Sequence, residues 1–218
     1  MTAELWLVRH TSTAWSGTRW CGRSDPPLSE AGRTEAHALA GWFSTRLAPP
    51  VAIVASRARR AAETADAIAR PLDLTASVGA DLVEVDLGLI DGLTFDEVAQ
   101  RHPAVALAVL ERRQDIDWPG GESAAEVAAR ARTASGWLAE LASSSTVVAV
   151  SHGWFIAALV RALADHPTDA LGWSAPGSVV RLSRGPGVVG WSISDRLGPA
   201  EGAGTAVRAE PPRTATAR

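Results

Sequence analysis

Short runs of apolar residues that end abruptly at polar or charged residues recur along the chain. Leu5 to Val8 stops at Arg9-His10, and Thr146 to Val150 stops at Ser151-His152. Both runs are continuously apolar and not alternating, which predicts buried strands of a parallel sheet. Similar runs predict three more strands, at Val51 to Ala55, Ser178 to Leu182 and Val188 to Ile193.

Patterns with helical periodicity lie between these runs. Two of the predicted helices begin at capping boxes, in which a hydroxyl and a carboxylate satisfy each other's backbone donors. The predicted helices are Ser29 to Leu47, Arg57 to Ala69, one that starts at Thr94 to Glu97, one that starts at Ser123 to Glu126 and runs to about Leu141, and one after Gly153. Strands that alternate with helices predict an α/β fold, here a three-layer α/β/α sandwich whose mostly parallel sheet has helices on both faces.

The length and composition indicate one folded domain. The chain has 218 residues, of which 46% are hydrophobic and 21% charged, with a net charge of −3. A single domain over residues 1–197 is expected, because shorter pieces would not bury enough apolar area to fold separately. From Gly198 onward the chain consists mainly of Gly, Ala, Pro, Thr, Glu and Arg, so residues 198–218 are predicted to form a disordered tail.

The charge balance and the missing residue types exclude several functions. No basic block is present that would neutralise the phosphates of a long nucleic acid, so only a small anion is an expected ligand. Cys21 is the only cysteine, which excludes a disulfide within the chain and a metal site built on several thiolates. The chain contains no lysine, which excludes lysine chemistry. Because neither a secretory leader nor an apolar stretch of ~18 residues is present, a cytoplasmic protein without membrane segments is expected.

Two histidines at strand ends are the first indication of chemistry. In open parallel sheets the functional site lies beyond the carboxyl ends of the strands, where His10 and His152 stand. Each alone is more simply interpreted as a core histidine, but the Arg before one and the Gly after the other favour a site. Arginine binds phosphate oxygens through its planar fork, and a neutral imidazole can attack phosphorus. Arg9-His10 therefore predicts a phosphate site with a nucleophile.

Phosphoryl transfer needs two further groups. A second arginine would spread the developing charge, and the segment Ser56 to Ala65 contains several candidates. A carboxyl group held protonated would donate a proton to the leaving alkoxide. Glu84 and Asp86 lie on one face of a predicted extended segment, and repulsion within this pair is expected to raise the pKa of one of them. The residues alone leave both choices open.

Six short motifs between residues 3 and 194 resemble those of the histidine phosphatase superfamily, the phosphoglycerate mutase-like group. The first stands where the family has Arg-His-Gly, and the others keep the family's order and spacing. They are Arg9-His10-Thr11-Ser12-Thr13, Cys21 to Gly32, Ser56-x-x-x-Arg60-Ala61-x-x-Thr64-Ala65, Leu82-x-Glu84 with Gly88 and Gly92-Leu93-Thr94, Pro119 to Ser123, and Val150-Ser151-His152-Gly153. Any one motif is a weak signal, but six in one order are a strong one.

The resemblance implies a metal-independent phosphatase that hydrolyses a small-molecule phosphomonoester through a phosphohistidine on His10. It selects Arg60 from its cluster and Glu84 over Asp86. The implied catalytic residues are Arg9, His10, Arg60, Glu84 and His152, and the implied substrate-binding residues are Thr11, Ser16, Cys21, Gly22 and Gly153. Guanidinium and imidazolium groups are expected to supply the charge, so no metal or other cofactor is expected. The N–H of Gly153, at the start of a helix, is expected to add an anion contact.

Three residues of the motifs stand out. Thr11 replaces the family's glycine, and a β-branched residue tolerates a positive φ or a close backbone approach less well, so a changed pocket shape is expected. Some members that resemble alpha-ribazole phosphatase also carry Thr or another residue at this position. Ser16 stands where the family often has a phosphate-binding Asn, in a chain without Asn. Cys21 is expected to be a wall residue and not a nucleophile.

Several large or charged residues next to the motifs have two interpretations. Core and loop packing is the simpler interpretation of the tryptophans, and an aromatic rim that stacks a flat leaving group is the alternative. Glu122 is predicted to be a helix-start residue, and contact with the substrate is the alternative. The tryptophans concerned are Trp15, Trp20, Trp118 and Trp154.

Two other functions stay open at this point. A mutase would return the phosphoryl group to a second substrate oxygen, but the stretch between Gly92 and Pro119 has few basic residues to hold a bisphosphorylated intermediate. In a catalytically silent phosphate-binding module, Thr11 and Ser16 would be substitutions that accompanied the loss of activity. All the presumed catalytic residues are nevertheless present. The physiological substrate and a homodimeric state are left open.

Overall fold

The strand that precedes His10 lies inside a six-stranded sheet. A computed structural model describes residues 2–113, 115–164, 175–188 and 190–197 of the chain. The strands in this part are β1 (Ala3–Arg9), β2 (Val51–Ala55), β3 (Ser77–Val78), β4 (Thr146–Ser151), β5 (Val179–Arg184) and β6 (Ser192–Leu197). Their order across the sheet is β3-β2-β4-β1-β5-β6.

The sheet is mostly parallel, as predicted. β4 lies between β1 and β2 and is parallel to both, and β2 is parallel to β3. β5 runs antiparallel to β1 and to β6. Arg9 is paired with Ser151 at the carboxyl ends of β1 and β4, so His10 and His152 leave the sheet as neighbours.

Helices cover both faces of this sheet. In the described part of the chain the α-helices are α1 (Glu30–Ser44), α2 (Arg59–Ala69), α3 (Phe95–Arg101), α4 (Pro103–Leu110), α5 (Ala124–Leu141) and α6 (Gly153–Ala164). Leu5 and Leu7 of β1 belong to a core shared with α5 and α6, whereas Trp6 and Val8 belong to a core shared with α1 and α2. This alternation along a central strand confirms the three-layer α/β/α sandwich.

Helices α3 and α4 pack outside these layers. Capping boxes start α3 at Thr94 and α5 at Ser123, as predicted. The apolar residues of α3 and α4 form a third cluster with the chain around Glu84, and its buried members are Val85, Leu87, Ile90, Val98, Val105, Ala106, Ala108, Val109, Ile116 and Trp118. This cluster supports the segment that carries the predicted acid.

Two predicted helix boundaries are wrong for local reasons. Helix α1 ends at Ser44 and not at Leu47, because the hydroxyls of Ser44 and Thr45 donate to carbonyl oxygens of the last turn and compete with the helix. Helix α2 starts at Arg59 and not at Arg57, because the residue that caps it has an extended backbone.

The C-terminal part of the sheet also departs from the prediction. Strand β6 starts at Ser192 and not at Val188, because the N–H of Val188 closes a turn to the carbonyl oxygen of Gly185. Strand β3 was not predicted, since it has only two residues and both are exposed. The predicted tail at 198–218 lies outside the described residues.

Gly32 allows α1 to pack against the loop that follows His10. A Cβ at Gly32 would lie 1.8 Å from the carbonyl oxygen of Ser12, which already accepts from the N–H of Ser29. We expect Gly32→Ala to lower the free energy of unfolding by about 3 kcal/mol, measured by urea unfolding. Gly41→Ala in the same helix is the control, because a Cβ there meets nothing within 4 Å. It is expected to raise the stability by up to about 1 kcal/mol, and equal effects of the two substitutions would contradict the close contact.

Candidate active site

His10 and His152 lie together at the carboxyl edge of the sheet. Their ring centroids are 5.1 Å apart. Both side chains are buried, with exposed fractions of 5% and 0%. Burial is the main cause that holds the pKa of each imidazole well below its usual value, and the charges of Arg9 and Arg60 act in the same direction. Both rings are therefore neutral near neutral pH, so the expected imidazolium charge is absent and the guanidinium groups carry the positive charge of the site.

The hydrogen bonds of His10 determine which ring nitrogen carries its proton. Nδ1 lies 2.8 Å from the carbonyl oxygen of Thr11. Because a carbonyl oxygen only accepts, Nδ1 carries the proton and Nε2 holds the lone pair. The Nε–H of Arg60 donates to Nε2 at 3.3 Å. A guanidinium group thus lies beside the atom that would attack phosphorus.

Arg60 is the buried member of its arginine cluster. It is 1% exposed, whereas Arg57 and Arg59 are exposed. Its Nη1 donates to the carbonyl oxygen of Ser24 at 2.7 Å, and its Nη2 donates to that of Gly22 at 2.9 Å. These bonds fix the guanidinium group, and they place the predicted binding residue Gly22 beside the site through its backbone.

Arg9 lies against the start of α6. A Cβ on Gly153 would come 3.3 Å from Nη1 and 3.4 Å from Cζ of Arg9, so the glycine leaves space for the guanidinium group. Burial lowers the pKa of Arg9, and the nearby Glu84 opposes this effect. The structure thus gives Gly153 a packing role beside Arg9, and the anion contact of its N–H stays a prediction.

Glu84 is a buried carboxyl group held by three backbone N–H groups. Oε1 accepts from Val85 at 2.9 Å and from Phe155 at 3.1 Å, and Oε2 accepts from Trp154 at 3.4 Å. Burial raises the pKa of Glu84 above its usual value, although these hydrogen bonds and the nearby arginines favour the carboxylate. A raised pKa keeps more of the group protonated near neutral pH, as a general acid requires.

The expected repulsion between Glu84 and Asp86 is not among the causes of this shift. Oδ1 of Asp86 instead accepts from the N–H of Gly88 at 3.0 Å within its own turn. The predicted extended segment lies between two 3-10 turns, Ala80–Leu82 and Gly88–Ile90. Burial therefore distinguishes the two carboxyl groups, and alternation along the segment does not.

His152 is held by Ser56, which follows β2. Its Nε2 lies 2.9 Å from the hydroxyl oxygen of Ser56, and that oxygen accepts from the N–H of Ala58 at 3.2 Å. All three groups are satisfied when the hydroxyl of Ser56 donates to Nε2 of His152. Nε2 then holds the lone pair, and the ring proton is on Nδ1. Among the described residues Nδ1 of His152 is buried without a hydrogen-bond partner. It is therefore a donor suited to a bound anion.

Thr11 occupies the glycine position of the motif without strain. In the described part of the chain the non-glycine residues with positive φ are Asp73 and Arg112. The N–H of Thr11 donates to the hydroxyl of Thr64 at 3.2 Å, and the two hydroxyl oxygens are also 3.2 Å apart. Thr11 thus ties the loop after His10 to α2, and its effect on the shape of the pocket stays a prediction.

Ser16 and Cys21 make local contacts in their loops. The hydroxyl of Ser16 accepts from the N–H of Thr13 at 2.9 Å, and Sγ of Cys21 donates to the carbonyl oxygen of Ser24 at 3.5 Å. Burial raises the pKa of the Cys21 thiol to about 11, so it stays protonated and is a poor nucleophile. Their contacts with a substrate stay predictions.

Arg130 and Glu122 have a role that the sequence did not indicate. They form an ion pair in which Nη2 of Arg130 lies 2.7 Å from Oε2 of Glu122, beside the segment that carries Glu84. Glu122 directly precedes Ser123, the N-cap residue of α5, as predicted, but its side chain takes no part in the capping box. The sequence shows only that Arg130 lies four residues before the buried Ala134 on α5. It therefore borders the apolar face of the helix, which does not reveal a contact with the segment of Glu84.

Three tryptophans near the motifs pack against each other. The ring centroids of Trp118 and Trp154 are 5.3 Å apart, and Trp20 lies 6.3 Å from each. Trp118 is 5% exposed, which favours the packing interpretation for this residue. Trp20 and Trp154 are half-buried, and stacking of a leaving group on either ring stays a prediction.

A polar cavity of about 400 Å³ opens beside Glu84. Guanidinium and carboxylate groups form much of its wall. The lining residues are Gly22, Arg23, Asp25, Arg57, Ala58, Val83, Glu84 and Asp86. Such a wall suits a leaving group with polar substituents better than an apolar one.

The described residues contain neither a metal-binding cluster nor a membrane-spanning helix. No group of three or more His, Cys, Asp or Glu side chains there is placed to hold a metal ion. No helix among those residues is long and apolar enough to cross a membrane.

The fold and the site together define an α/β/α protein with a buried cluster of histidine and arginine side chains at the carboxyl edge of its sheet. A family model of the histidine phosphatase superfamily (branch 1) matches residues 5–191 of the chain. The chain belongs to this superfamily.

Two similar proteins illustrate this membership, and a more distant structure shares the fold alone. A bifunctional protein of Mycobacterium tuberculosis is 38% identical over 169 residues, which are 77% of this chain but only 46% of that protein, so the chain spans less than half of its length. Glucosyl-3-phosphoglycerate phosphatase of the same species is 37% identical over 197 residues, 83% of this chain and 85% of that protein. The native structure of the mycobacterial enzyme of this name has a TM-score of 0.77 at 32% identity, over 89% of this chain and 98% of that one. An Escherichia coli structure described as a candidate alpha-ribazole-5'-P phosphatase has a TM-score of 0.71 at 20% identity, over 88% and 95% of the two chains, and shows the shared fold alone.

Proposed function

We propose that the protein hydrolyses a small-molecule phosphomonoester through a phosphohistidine on His10, without a metal ion. The observation that carries the proposal is the state of His10, a buried neutral imidazole. Its Nδ1–H is held by Thr11, and its Nε2 faces the guanidinium group of Arg60. A neutral imidazole attacks phosphorus without prior deprotonation. Membership of the superfamily and the likeness to a phosphatase support the same activity.

The first step transfers the phosphoryl group to the protein. Arg9, Arg60 and His152 bind its oxygens and spread the negative charge over several donors. The Nε2 lone pair of His10 forms the N–P bond while the P–O bond to the leaving alcohol breaks. Glu84 gives its proton to the departing oxygen and becomes a carboxylate. The backbone carbonyl that accepts from Nδ1–H stabilises the positive charge that develops on the imidazole ring.

The second step hydrolyses the phosphohistidine. The Glu84 carboxylate accepts a proton from water, whose oxygen attacks phosphorus while the P–N bond breaks. Inorganic phosphate leaves, His10 regains the lone pair on Nε2, and Glu84 is protonated again. The pKa of Glu84, raised by burial, suits a group that gives and accepts a proton in one cycle.

The wall of the cavity beside Glu84 supports a polar leaving group. Arg23 and Arg57 offer donors for a carboxylate or for hydroxyl groups, and Asp25 and Asp86 offer acceptors for hydroxyl groups. A hydroxylated acid carries both kinds of group. The related mycobacterial enzyme is named for a substrate of this kind, glucosyl-3-phosphoglycerate, which makes this class the first to test.

Phosphate release from a panel of phosphomonoesters, with a chelator present, tests the proposal. The panel contains p-nitrophenyl phosphate, glycerol phosphate, 3-phosphoglycerate and glucosyl-3-phosphoglycerate. We expect release to survive the chelator, with the highest kcat/KM for the hydroxylated acids. Activity that is lost with chelator and restored by a divalent metal would contradict the metal-independent route. Isomerisation of 3-phosphoglycerate without phosphate release would identify a mutase instead.

A further inference from the structure

Arg130 directs all five of its N–H donors to the segment that carries Glu84 and to the carboxylate beside that segment. Nε and Nη2 donate to the two oxygens of Glu122 at 2.8 and 2.7 Å. Nη1 donates to the carbonyl oxygens of Asp81 and Val83, both at 2.8 Å. Nη2 also donates to the carbonyl oxygen of Glu84 at 3.4 Å. One planar guanidinium group thus fixes three carbonyl groups of the segment.

Glu122 holds the other end of the same segment. Its Oε2 accepts from the N–H of Asp86 at 2.8 Å, and its own N–H donates to the carbonyl oxygen of Asp86 at 2.9 Å. Burial opposes the ionisation of Glu122, but the hydrogen bonds from Arg130 and Asp86 lower its pKa overall. The ion pair therefore brackets Glu84 on both sides along the chain.

Arg130 also contacts the helix that binds the carboxyl group of the acid. Its Cζ lies 4.0 Å from the ring centroid of Phe155. The N–H of Phe155 donates to Oε1 of Glu84, and the other donor to this oxygen, Val85, belongs to the bracketed segment. The Arg130 side chain is 14% exposed. It is thus packed between the backbone of the acid and the helix that orients its oxygens.

We propose that Arg130, paired with Glu122, is a positioning residue that fixes Glu84 for proton donation. This inference rests on the proposed function, in which Glu84 is the general acid. Proton transfer requires the carboxyl group to lie within hydrogen-bond reach of the leaving oxygen, so a shift of its segment lowers the rate. A lysine cannot replace this arginine, because it offers three donors from one point and no planar fork.

The test compares two esters that differ in their need for an acid. p-Nitrophenolate leaves without protonation, whereas the alkoxide of glycerol does not. For Arg130→Lys we expect kcat/KM, which reports the steps up to departure of the alcohol, to fall about 10²-fold with glycerol phosphate and less than about threefold with p-nitrophenyl phosphate. Arg132→Gln, at an exposed position of the same helix, is the matched control and is expected to change neither value.

A second measurement separates positioning from a general loss of packing. In a Glu84→Gln background, Arg130→Lys is expected to cause no further loss with glycerol phosphate, because the acid is already absent. Glu122→Gln keeps the side-chain shape and removes the ion pair, and it is expected to show the same difference between the esters even where Arg130→Lys does not fold. Equal losses with both esters, or losses that multiply with Glu84→Gln, would overturn the proposal. Wild-type protein without His10-dependent hydrolysis of p-nitrophenyl phosphate would refute the proposed function itself, which is a distinct result.

Discussion

His10→Ala is expected to lower kcat/KM for every accepted phosphomonoester by about 10³-fold or more. His152 cannot take over the attack, because its Nε2 is bound to Ser56 and its Nδ1 carries the proton. Phosphate release measures the effect, and equal melting temperatures show that the variant folds. His37→Ala, at an exposed position of α1, is the matched control and is expected to keep full activity. Activity of His10→Ala within about tenfold of wild type would contradict the nucleophile assignment.

The proposed phosphohistidine on His10 can be tested by direct observation. Quenching in base preserves an N–P bond, so the peptide that contains His10 is expected to gain the mass of one phosphoryl group.

Burial first, and then Arg9 and Arg60, hold the pKa of His10 well below 6.5. The nucleophile of the free protein therefore stays neutral as pH falls through 6.5, and kcat/KM of the wild type, once the ionisation of the ester itself is subtracted, is expected to show no histidine-like decline there. A decline centred at that pH would show that His10 binds a proton in solution.

The sequence was sufficient to predict that His10 and His152 stand at the same edge of the sheet. Both follow continuously apolar strands, and the carboxyl ends of parallel strands lie at one edge of a sheet. The pairing of β1 with β4 then fixes their separation, and the centroid distance of 5.1 Å follows from it. Local hydrophobic pattern and strand direction are sufficient for this part of the site.

The choice of Arg60 and Glu84 needed the family resemblance. Several arginines share one short segment with Arg60. Arg60 is the buried one among them, because carbonyl oxygens of a distant loop accept from its guanidinium group. Glu84 and Asp86 are equivalent by alternation along the chain, and burial against α6 distinguishes Glu84 as the candidate acid. Contacts between distant segments decide both choices, and a local pattern does not contain them.

Arg130 was beyond prediction for the same physical reason. Its carbonyl partner on Asp81 lies 49 positions away along the chain. A charged residue on an amphipathic helix is ordinarily a solvated residue, and its support of Glu84 exists only after the segment has folded onto α5. Backbone acceptors leave no trace in residue types, so a site built on carbonyl oxygens is not visible in a sequence.

Glu84→Gln is expected to lower kcat/KM for alkyl phosphates by about 10²- to 10⁴-fold. The amide oxygen of Gln can accept the N–H groups of Val85 and Phe155, so the segment keeps its place, but the side chain has no acidic proton to give. With p-nitrophenyl phosphate, kcat/KM is expected to be spared while kcat falls, because the water of the second step loses its base. Stopped-flow measurement should then show a burst of nitrophenol followed by slow turnover. Equal losses of kcat/KM with both kinds of ester would contradict the acid assignment.

The pH dependence of kcat/KM is a second test of Glu84 as the general acid. Burial raises the pKa of Glu84, and only its protonated form serves the leaving group, so kcat/KM of the wild type with glycerol phosphate should fall as pH rises through that raised pKa. Glu84→Gln should lack this basic limb, whereas Asp86→Asn should keep it, because Asp86 bonds to its own turn at Gly88. If Asp86→Asn removed the limb and Glu84→Gln retained it, the acid would be Asp86. The bracketing of the segment by Arg130 and Glu122 would then serve that neighbouring carboxyl group instead.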